Sequence, residues 1–203
     1  MKKVIAVLVL FSTMVFAQQK GTFTDPRDNK TYKTVKIVSQ TWMAENLNYA
    51  ASGSKCYDNK PENCKKYGRL YDWNVATRVC PYGWHLPSDA EWDVLMAAVD
   101  GTETAGGKLK AKSGWKDNYQ GKSGNGTDQY GFSALPGGGD YCFERSRGNF
   151  ANFANAGLNG LWWSASKCDS HCAYWCMDFN YEYVSRNRDI FNCSLFSVRC
   201  VRD

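Results

Sequence analysis

The sequence predicts an α+β domain, with strands toward both ends of the chain, helices between them and long glycine-rich loops. Three observations support this class. Both ends of the chain alternate apolar and polar residues, as half-buried strands do. Residues 88–101 carry the start signal, apolar spacing and stop signal of a helix. Between Gly101 and Gly160 lie 14 of the 18 glycines, and periodic apolar patterning almost disappears there, which indicates loops.

The first predicted elements are strands of a small antiparallel meander. Residues 22–24 lead into a turn cluster of Asp, Pro, Arg and Asn. Residues 30–38 then place Val35 and Ile37 on one face, and residues 41–44 follow after a two-residue break. This spacing predicts strands that are joined by short turns.

A first helix is predicted over residues 68–79, after a loop that carries Cys56 and Cys64. The two cysteines are eight residues apart among Asp, Asn and Pro, so we predict a local disulfide between them. Cys80 precedes Pro81, and the residue before a proline avoids the helical region. The helix should therefore end there.

The second predicted helix has the clearest local signals. Ser88 can cap its N-terminus, and Glu91, three residues on, can bind back to the Ser88 amide. Gly101 is placed to end the run. One buried stripe follows from the apolar residues at i, i+3, i+4 and i+7, which are Trp92, Leu95, Met96 and Val99.

The rest of the chain is predicted as loops and further strands. Within the glycine-rich region we predict long surface loops broken by short strands, such as one at residues 131–135. Toward the C-terminus, strands are predicted at residues 161–166, 173–180, 181–186 and 194–201. The second of these places Trp175 and Met177 on one face, and Tyr174 and Asp178 on the other.

The N-terminus has the pattern of a secretory signal peptide. The basic start, Lys2-Lys3, precedes an apolar run over residues 4–16 that is short for a membrane span, and we predict cleavage after Ala17. Residues 18–203 then form a single domain. We expect a secreted or cell-surface bacterial protein without membrane insertion after cleavage.

The charge pattern argues against two classes of partner. The chain has 25 Lys and Arg against 20 Asp and Glu, so removing Lys2 and Lys3 leaves 23 against 20, a net charge of +3. The charges are interspersed, without a basic block. We therefore expect no nucleic-acid partner and no polybasic membrane patch.

Seven short segments together carry a family resemblance. They are DPRD at 25–28, TWMAENL at 41–47, YGRLY at 67–71, CPYGWHLP at 80–87, YGFSALPGG at 130–138, WWSAS at 162–166 and FSVRCV at 196–201. In this order they resemble the Fibrobacter succinogenes major paralogous domain over nearly all of the mature chain. That family is exported, often associated with the bacterial surface, and largely without an assigned molecular function.

A more distant resemblance concerns the fold. Residues 86–92 are similar to the helix-opening motif of formylglycine-generating sulfatase-modifying enzymes, and residues 196–200 are similar to their closing strand. The resemblance implies a C-type-lectin-like domain, with two helices packed on irregular antiparallel sheets and long glycine-rich loops. It also implies a disulfide from the first helix to the last strand, Cys80–Cys200, which would stabilise the fold by on the order of 4 to 5 kcal/mol.

The other five cysteines leave two bridges and one spare thiol. They are Cys142, Cys168, Cys172, Cys176 and Cys193. We predict a Cys176–Cys193 bridge between neighbouring late strands. An alternative is a metal or thiol site, because sulfatase-modifying enzymes carry a copper-binding cysteine pair in about this part of the chain, and His171 could join it. The spacing differs from that enzyme pair and from zinc-ribbon patterns.

Candidate ligand-binding residues lie in loops and on the less apolar faces of late strands. Flat aromatic rings near Asp, Asn and Arg suit sugar or protein surfaces. The candidates are Asp140, Tyr141, Phe143, Tyr174, Asp178, Tyr181 and Tyr183. Asp128 and Asp140 could also ligate Ca2+, although the sequence lacks the Glu-Pro-Asn and Trp-Asn-Asp motifs of calcium-dependent lectins. No other cofactor is expected.

These observations favour an exported binding module that recognises polysaccharide or a surface protein without catalysis. One alternative is a metal- or thiol-dependent oxidoreductase related to the formylglycine-generating enzymes, using cysteines between residues 168 and 176. Another is a structural component of an outer-surface assembly, in which the odd cysteine links chains. The sequence shows no nucleophile elbow and no recognisable pair of catalytic carboxylates. It leaves the oligomeric state open.

Overall fold

A computed structural model describes residues 18–142, 152–166 and 171–203. The predicted signal peptide, Phe143 and Cys168 lie outside these ranges. The described strands are β1 (Gln19–Thr24), β2 (Thr31–Ile37), β3 (Gln40–Met43), β4 (Leu70–Tyr71), β5 (Gly139–Asp140), β6 (Phe153–Ala154), β7 (Asn159–Trp163), β8 (His171–Asp178), β9 (Val184–Phe191), β10 (Phe196–Ser197) and β11 (Val201–Arg202). The described α-helices are α1 (Pro61–Tyr67), α2 (Trp73–Val79), α3 (Asp89–Ala98) and α4 (Thr102–Leu109). The α+β class is therefore confirmed. Across the described ranges, every helix lacks the length and apolar character that a bilayer span requires.

The first sheet has four antiparallel strands in the order β1-β2-β3-β11. The predicted meander is confirmed, because β1 pairs with β2 and β2 pairs with β3. The last strand returns to this sheet, where Val201 pairs with Trp42. The two ends of the described domain therefore close on each other.

The second sheet has five strands in the order β4-β10-β7-β8-β9. Strands β7, β8 and β9 form an antiparallel meander, whereas β10 runs parallel to β7 and antiparallel to β4. The predicted alternation of β8 is confirmed: Trp175 and Met177 are buried, and Tyr174 and Asp178 on the other face are partly exposed. A small separate sheet joins β5 to β6.

Helix α3 begins with the predicted capping box. The Glu91 amide donates to Ser88 Oγ (3.3 Å), and the Ser88 amide donates to Glu91 Oε2 (2.7 Å). The whole predicted apolar stripe is buried. It brings Trp92 into an aromatic cluster, with ring centroids 4.9 Å from Trp42 and 5.6 Å from Trp175. Local capping and core packing thus agree on where this helix lies.

The helix predicted over residues 68–79 begins later than expected. Leu70 and Tyr71 form β4 and pair with β10 instead. The side chain of Asp72 then accepts from the Val75 amide (3.0 Å) and caps α2. Strand pairing therefore takes the first residues of the segment, and the helix begins only after this cap. The preceding helix α1 was not predicted.

Helix α4 lies within the glycine-rich region, where we predicted loops and short strands. Gly106 and Gly107 lie inside this helix, and each lowers helix propensity by about 1 kcal/mol relative to alanine. The sequence pattern therefore gives a weak helix signal. Tertiary contacts with the segment between β8 and β9, described below, compensate for it.

The strand predicted at residues 131–135 is wrong. The Ser133 amide and hydroxyl both donate to the Asp128 carboxylate at 2.7 Å, which folds this segment into a turn. Ala134 makes one isolated bridge, to Lys110. Side-chain turn chemistry thus prevails over the apolar pattern of the segment.

The disulfides confirm two of the predicted pairs and correct the third. Cys56–Cys64 and Cys80–Cys200 are present. Together with a third bridge, the described residues contain three disulfides, and several disulfides in one domain indicate an oxidising, extracytoplasmic environment.

The predicted Cys176–Cys193 bridge is wrong, because Cys193 pairs with Cys142. The register of β8 and β9 places Cys176 opposite Ser185, within the strand pair, whereas Cys193 lies beyond the end of β9. Among the described cysteines Cys176 is the free thiol, and Cys172 is disulfide-bonded.

A buried arginine joins elements from four parts of the chain. Arg199 has no exposed surface. Its guanidinium donates to Asn46 Oδ1 through Nε (3.0 Å) and Nη2 (2.7 Å), and to the carbonyls of Met43 and Phe132. Trp162 Nε1 donates to the same Asn46 oxygen (2.9 Å). Burial lowers the pKa of Arg199 to about 9, so the group remains a cation at neutral pH.

Candidate functional site

The predicted ligand-binding residues fall into two separate groups. The first comprises Asp140, Tyr141 and Tyr174. The second comprises Asp178, Tyr181 and Tyr183, which lie where β8 passes into β9. Phe143 lies outside the described residues.

The carboxylates proposed as Ca2+ ligands are bound within the protein. Asp140 is buried; its Oδ2 accepts from Lys55 Nζ (2.9 Å) and its Oδ1 from the Asn152 amide (2.7 Å). Asp128 caps the turn that ends at Ser133. Within the described ranges, the structure does not bring three His, Cys, Asp or Glu side chains together in a group that could hold a metal ion.

Tyr141 and Tyr174 are largely engaged in packing. Both rings contact Phe196, with centroid distances of 5.5 and 5.0 Å. The Tyr141 hydroxyl accepts from Asn155 Nδ2 (3.3 Å), and the Tyr174 hydroxyl hydrogen-bonds with Asp189. Burial raises the pKa of both phenols. The second group is therefore the more accessible candidate surface.

The second group lies on the segment from residue 178 to residue 183, which we call the tyrosine loop. Tyr181 is 48% exposed and Tyr183 is 41% exposed. Their rings stack on each other, with centroids 5.0 Å apart and planes inclined by 27°. Exposed aromatic rings that already hold one another in place lose little side-chain entropy when a ligand binds.

Helix α4 holds one side of the tyrosine loop. The Gly106 amide donates to the carbonyl of Glu182 (2.7 Å). A Cβ atom at Gly106 would lie 2.6 Å from that carbonyl oxygen, so a side chain at this position would push the loop away. Glycine is therefore required for the close approach of helix and loop.

Lys110, just after α4, binds the backbone of the tyrosine loop. The residue is only 2% exposed, and its Nζ donates to the carbonyls of Tyr181 (2.7 Å) and Asp178. The ammonium also lies 4.8 Å from the ring centroid of Trp115. Burial lowers the pKa of Lys110 to about 8, while Asp178 and Glu182 oppose that shift.

A third exposed tyrosine, from the glycine-rich region, lies beside the tyrosine loop. Tyr119 is 84% exposed and packs edge-on against Phe179, with ring centroids 5.1 Å apart. Its amide donates to Asn180 Oδ1 (3.0 Å), which ties its loop to the tyrosine loop. We call Tyr119, Tyr181 and Tyr183 the tyrosine platform. Tyr119 was not predicted from the sequence, because no periodic pattern marks this loop.

The polar residues of the loop support its shape. Asp178 Oδ2 accepts from Asn159 Nδ2 (2.7 Å), and Asp178 Oδ1 accepts from the Asn180 amide (2.8 Å). Asp178 therefore caps the turn that precedes Tyr181. Both carboxylate oxygens of Asp178 are thus engaged within the protein, where they support the turn before the exposed rings, and contact of Asp178 with a ligand stays a prediction.

The free thiol offers little chemistry at this surface. Burial, together with the nearby charge of Asp178, raises the pKa of Cys176 to about 12. The group therefore stays a neutral thiol at physiological pH. Cys172 is already disulfide-bonded, so neither sulfur supplies a thiolate for metal binding or nucleophilic attack.

Family comparison identifies the chain as a member of the Fibrobacter succinogenes major domain family, whose model matches residues 35–202. The match begins within β2 and ends with β11, so it covers the second sheet, all four described helices and the tyrosine platform, and it leaves β1 of the first sheet outside. Comparison with curated proteins and with solved structures gave no match.

Proposed function

We propose that this protein is an exported carbohydrate-binding module whose tyrosine platform stacks against sugar rings of a polysaccharide. The observation that carries the proposal is the exposed, stacked pair Tyr181 and Tyr183 on a loop that is fixed from several sides. Tyrosine combines a flat apolar face with a polar hydroxyl, which suits a ligand that is itself apolar on its faces and polar at its rim.

The fixed geometry of the loop supports recognition. Gly106, Lys110 and Tyr119 each bond to a different part of the tyrosine loop. A surface that is already ordered does not have to be ordered by the ligand, and more of the interaction free energy remains for binding. The proposed mechanism is recognition, with no covalent step.

The frame suits a C-type-lectin-like interpretation, which we include in the proposal. The Cys80–Cys200 disulfide joins the end of α2 to the residue before β11, and a long loop region lies between α4 and β5. Export is part of the same proposal, because disulfides persist in oxidising compartments. The alternative ligand of the tyrosine platform is a surface protein, and the glycan-retention experiment distinguishes it from a polysaccharide.

The test is retention of the purified mature protein on insoluble polysaccharides and on a glycan array. We expect at least one glycan class to retain it, and Tyr181→Ala with Tyr183→Ala to weaken retention about tenfold or more, as loss of a binding hot spot does. Tyr82→Ala is the matched control, since Tyr82 is fully exposed on a different turn.

Two results would contradict the proposal. One is failure of every neutral and charged polysaccharide to retain the wild-type protein. The other is equal retention of the wild type and the double variant, which would place the glycan elsewhere. Thermal unfolding of the double variant should stay close to that of the wild type, because nearly half of each side chain is exposed and the two rings stack on each other.

A further inference from the structure

We propose a second binding site, for the carboxylate of an acidic sugar, in a cleft on the part of the domain formed by α2 and the segments around it. The cleft has a volume of about 260 Å³, and we call it the arginine cleft. Its lining residues are Arg27, Tyr49, Ala51, Ser52, Val75, Arg78 and Val79. It shares no residue with the tyrosine platform, so it does not depend on the function proposed above.

Arg27 forms a rigid side of the cleft. Its Nε and Nη2 donate to the Asp25 carboxylate at 2.9 and 2.6 Å, and its Nη1 donates to the Val79 carbonyl at 2.8 Å. The guanidinium lies 3.9 Å above the ring centroid of Tyr49. These contacts use three of the five guanidinium N–H groups, and the remaining one on each Nη nitrogen has no acceptor among the described residues.

Arg78 supplies most of the unused hydrogen-bond donors. It is exposed on the last turn of α2, and its Nε donates to the Asn74 carbonyl (3.1 Å). Among the described residues its Nη nitrogens have no acceptor, and neither has the Tyr49 hydroxyl. Arginine donors in this planar arrangement match the two oxygens of a carboxylate.

The charge balance of the cleft favours an anion. Asp25 is fully buried, and its carboxylate forms an ion pair with Arg27. Burial raises the pKa of this carboxyl, but the hydrogen bonds and charge of Arg27 outweigh that effect and hold the pKa below its usual value. Asp72 caps α2 and does not line the cleft. Within the described chain, Arg78 therefore contributes a positive charge without an ion-pair partner.

The size and walls of the cleft point to a single sugar ring. Val75 and Val79 are one helical turn apart on α2 and, with Ala51, give the cleft an apolar wall, while Ser52 adds a hydroxyl at the rim. A volume of about 260 Å³ is below that of drug-sized pockets and suits one ring rather than a long segment. A uronic acid combines such a ring with a carboxylate.

The experiment is a titration of the folded protein with D-galacturonate, followed by amide chemical shifts in 15N-labelled samples. D-galactose, the neutral counterpart, is the ligand control. We expect galacturonate to shift amides of the arginine cleft with millimolar affinity, as its small size allows, and galactose to leave them unchanged. Raising the salt concentration should weaken the binding.

The variant Arg78→Gln removes the charge without removing a buried contact, and we expect it to weaken galacturonate binding about tenfold, the effect of one charged hydrogen bond. Lys112→Gln, a change of the same charge at an exposed position outside the cleft, should have no effect. Equal affinity of wild type and Arg78→Gln would overturn the site. Equal shifts with galactose would overturn the role of the carboxylate.

Other oxyanions distinguish the source of the ligand. Inorganic sulfate and the carboxylate of an N-acetylated dipeptide should each shift the same amides less than galacturonate at equal concentration, because neither presents a sugar ring to Val75 and Val79. If either binds more tightly than galacturonate, the assignment to an acidic sugar is wrong.

Discussion

Arg199 gives the sharpest test of how this domain is held together. We expect Arg199→Met to keep the fold but to lower its stability, since methionine can occupy the space beside Phe132 and Trp162 yet donates no hydrogen bond. Arg202→Met is the matched control. Arg202 lies on the same final segment but is exposed, and its main contact is the face of Trp84, 4.8 Å from the ring centroid.

The magnitude follows from the partners that lose a donor. Asn46 Oδ1 still accepts from Trp162 after the substitution, whereas the Met43 and Phe132 carbonyls each lose their arginine donor. A buried polar group left unsatisfied costs about 1 to 3 kcal/mol, so two carbonyls cost about 2 to 6 kcal/mol. Removing the buried cation returns part of this, because its desolvation opposes folding. We expect a net loss of about 3 kcal/mol.

The assay is denaturant unfolding with disulfides intact, followed by tryptophan fluorescence. The midpoint should fall with little change in slope, and the melting temperature should drop by about 6 to 12 °C for a domain of this size. Arg202→Met should cost at most about 1 kcal/mol, the value of an exposed cation–π contact. If Arg199→Met costs no more than Arg202→Met, the buried network does not stabilise the fold.

Two further predictions concern the support of the tyrosine loop. Gly106→Ala should destabilise the domain and weaken glycan retention, because the new Cβ would lie 2.6 Å from the Glu182 carbonyl oxygen. Gly107→Ala is the control: its Cβ would lie 3.4 Å from a flexible side-chain atom of Glu182, so it should be neutral or stabilise by up to about 1 kcal/mol. Thermal unfolding compares the two variants, and equal effects would refute the close approach of helix and loop. For Lys110→Met, the stability of wild type relative to the variant should rise between about pH 8 and 10.5, because the unfolded lysine keeps its proton in this window while the folded one, with its pKa lowered to about 8, loses it. If the difference in unfolding free energy between wild type and Lys110→Met does not change with pH, burial does not lower the pKa of Lys110.

The parts of the fold that the sequence predicted are those that local interactions determine. The capping box of Ser88 and Glu91 and the apolar stripe after it need only the helix itself and one packing surface. The Cys56–Cys64 pair closes a loop of nine residues, and few other geometries are open to it. Such features can be inferred without knowing which strands pair.

The features that the sequence could not predict depend on distant segments. Leu70 and Tyr71 pair with β10, more than a hundred residues away, and this pairing removes them from the helical pattern. Cys193 reaches Cys142 because Asp140 and Leu195 exchange backbone hydrogen bonds of 3.0 and 2.7 Å, a long-range pairing that periodicity does not encode. The alternation of the last predicted strand likewise indicates that its apolar residues are buried, but it does not predict that Arg199 in the same segment is fully buried.

The candidate site divides in the same way. Tyr181 and Tyr183 can be recognised from sequence as aromatic residues beside a strand. The position of their loop, however, depends on α4, and this helix was not predicted because its glycines weaken the helical pattern. The arginine cleft depends instead on α2 and the Asp25–Arg27 pair. Because the two sites rest on different supports, Gly106→Ala should disturb the tyrosine platform and leave galacturonate binding intact. The sites can therefore be lost separately, which a single shared ligand groove would not allow.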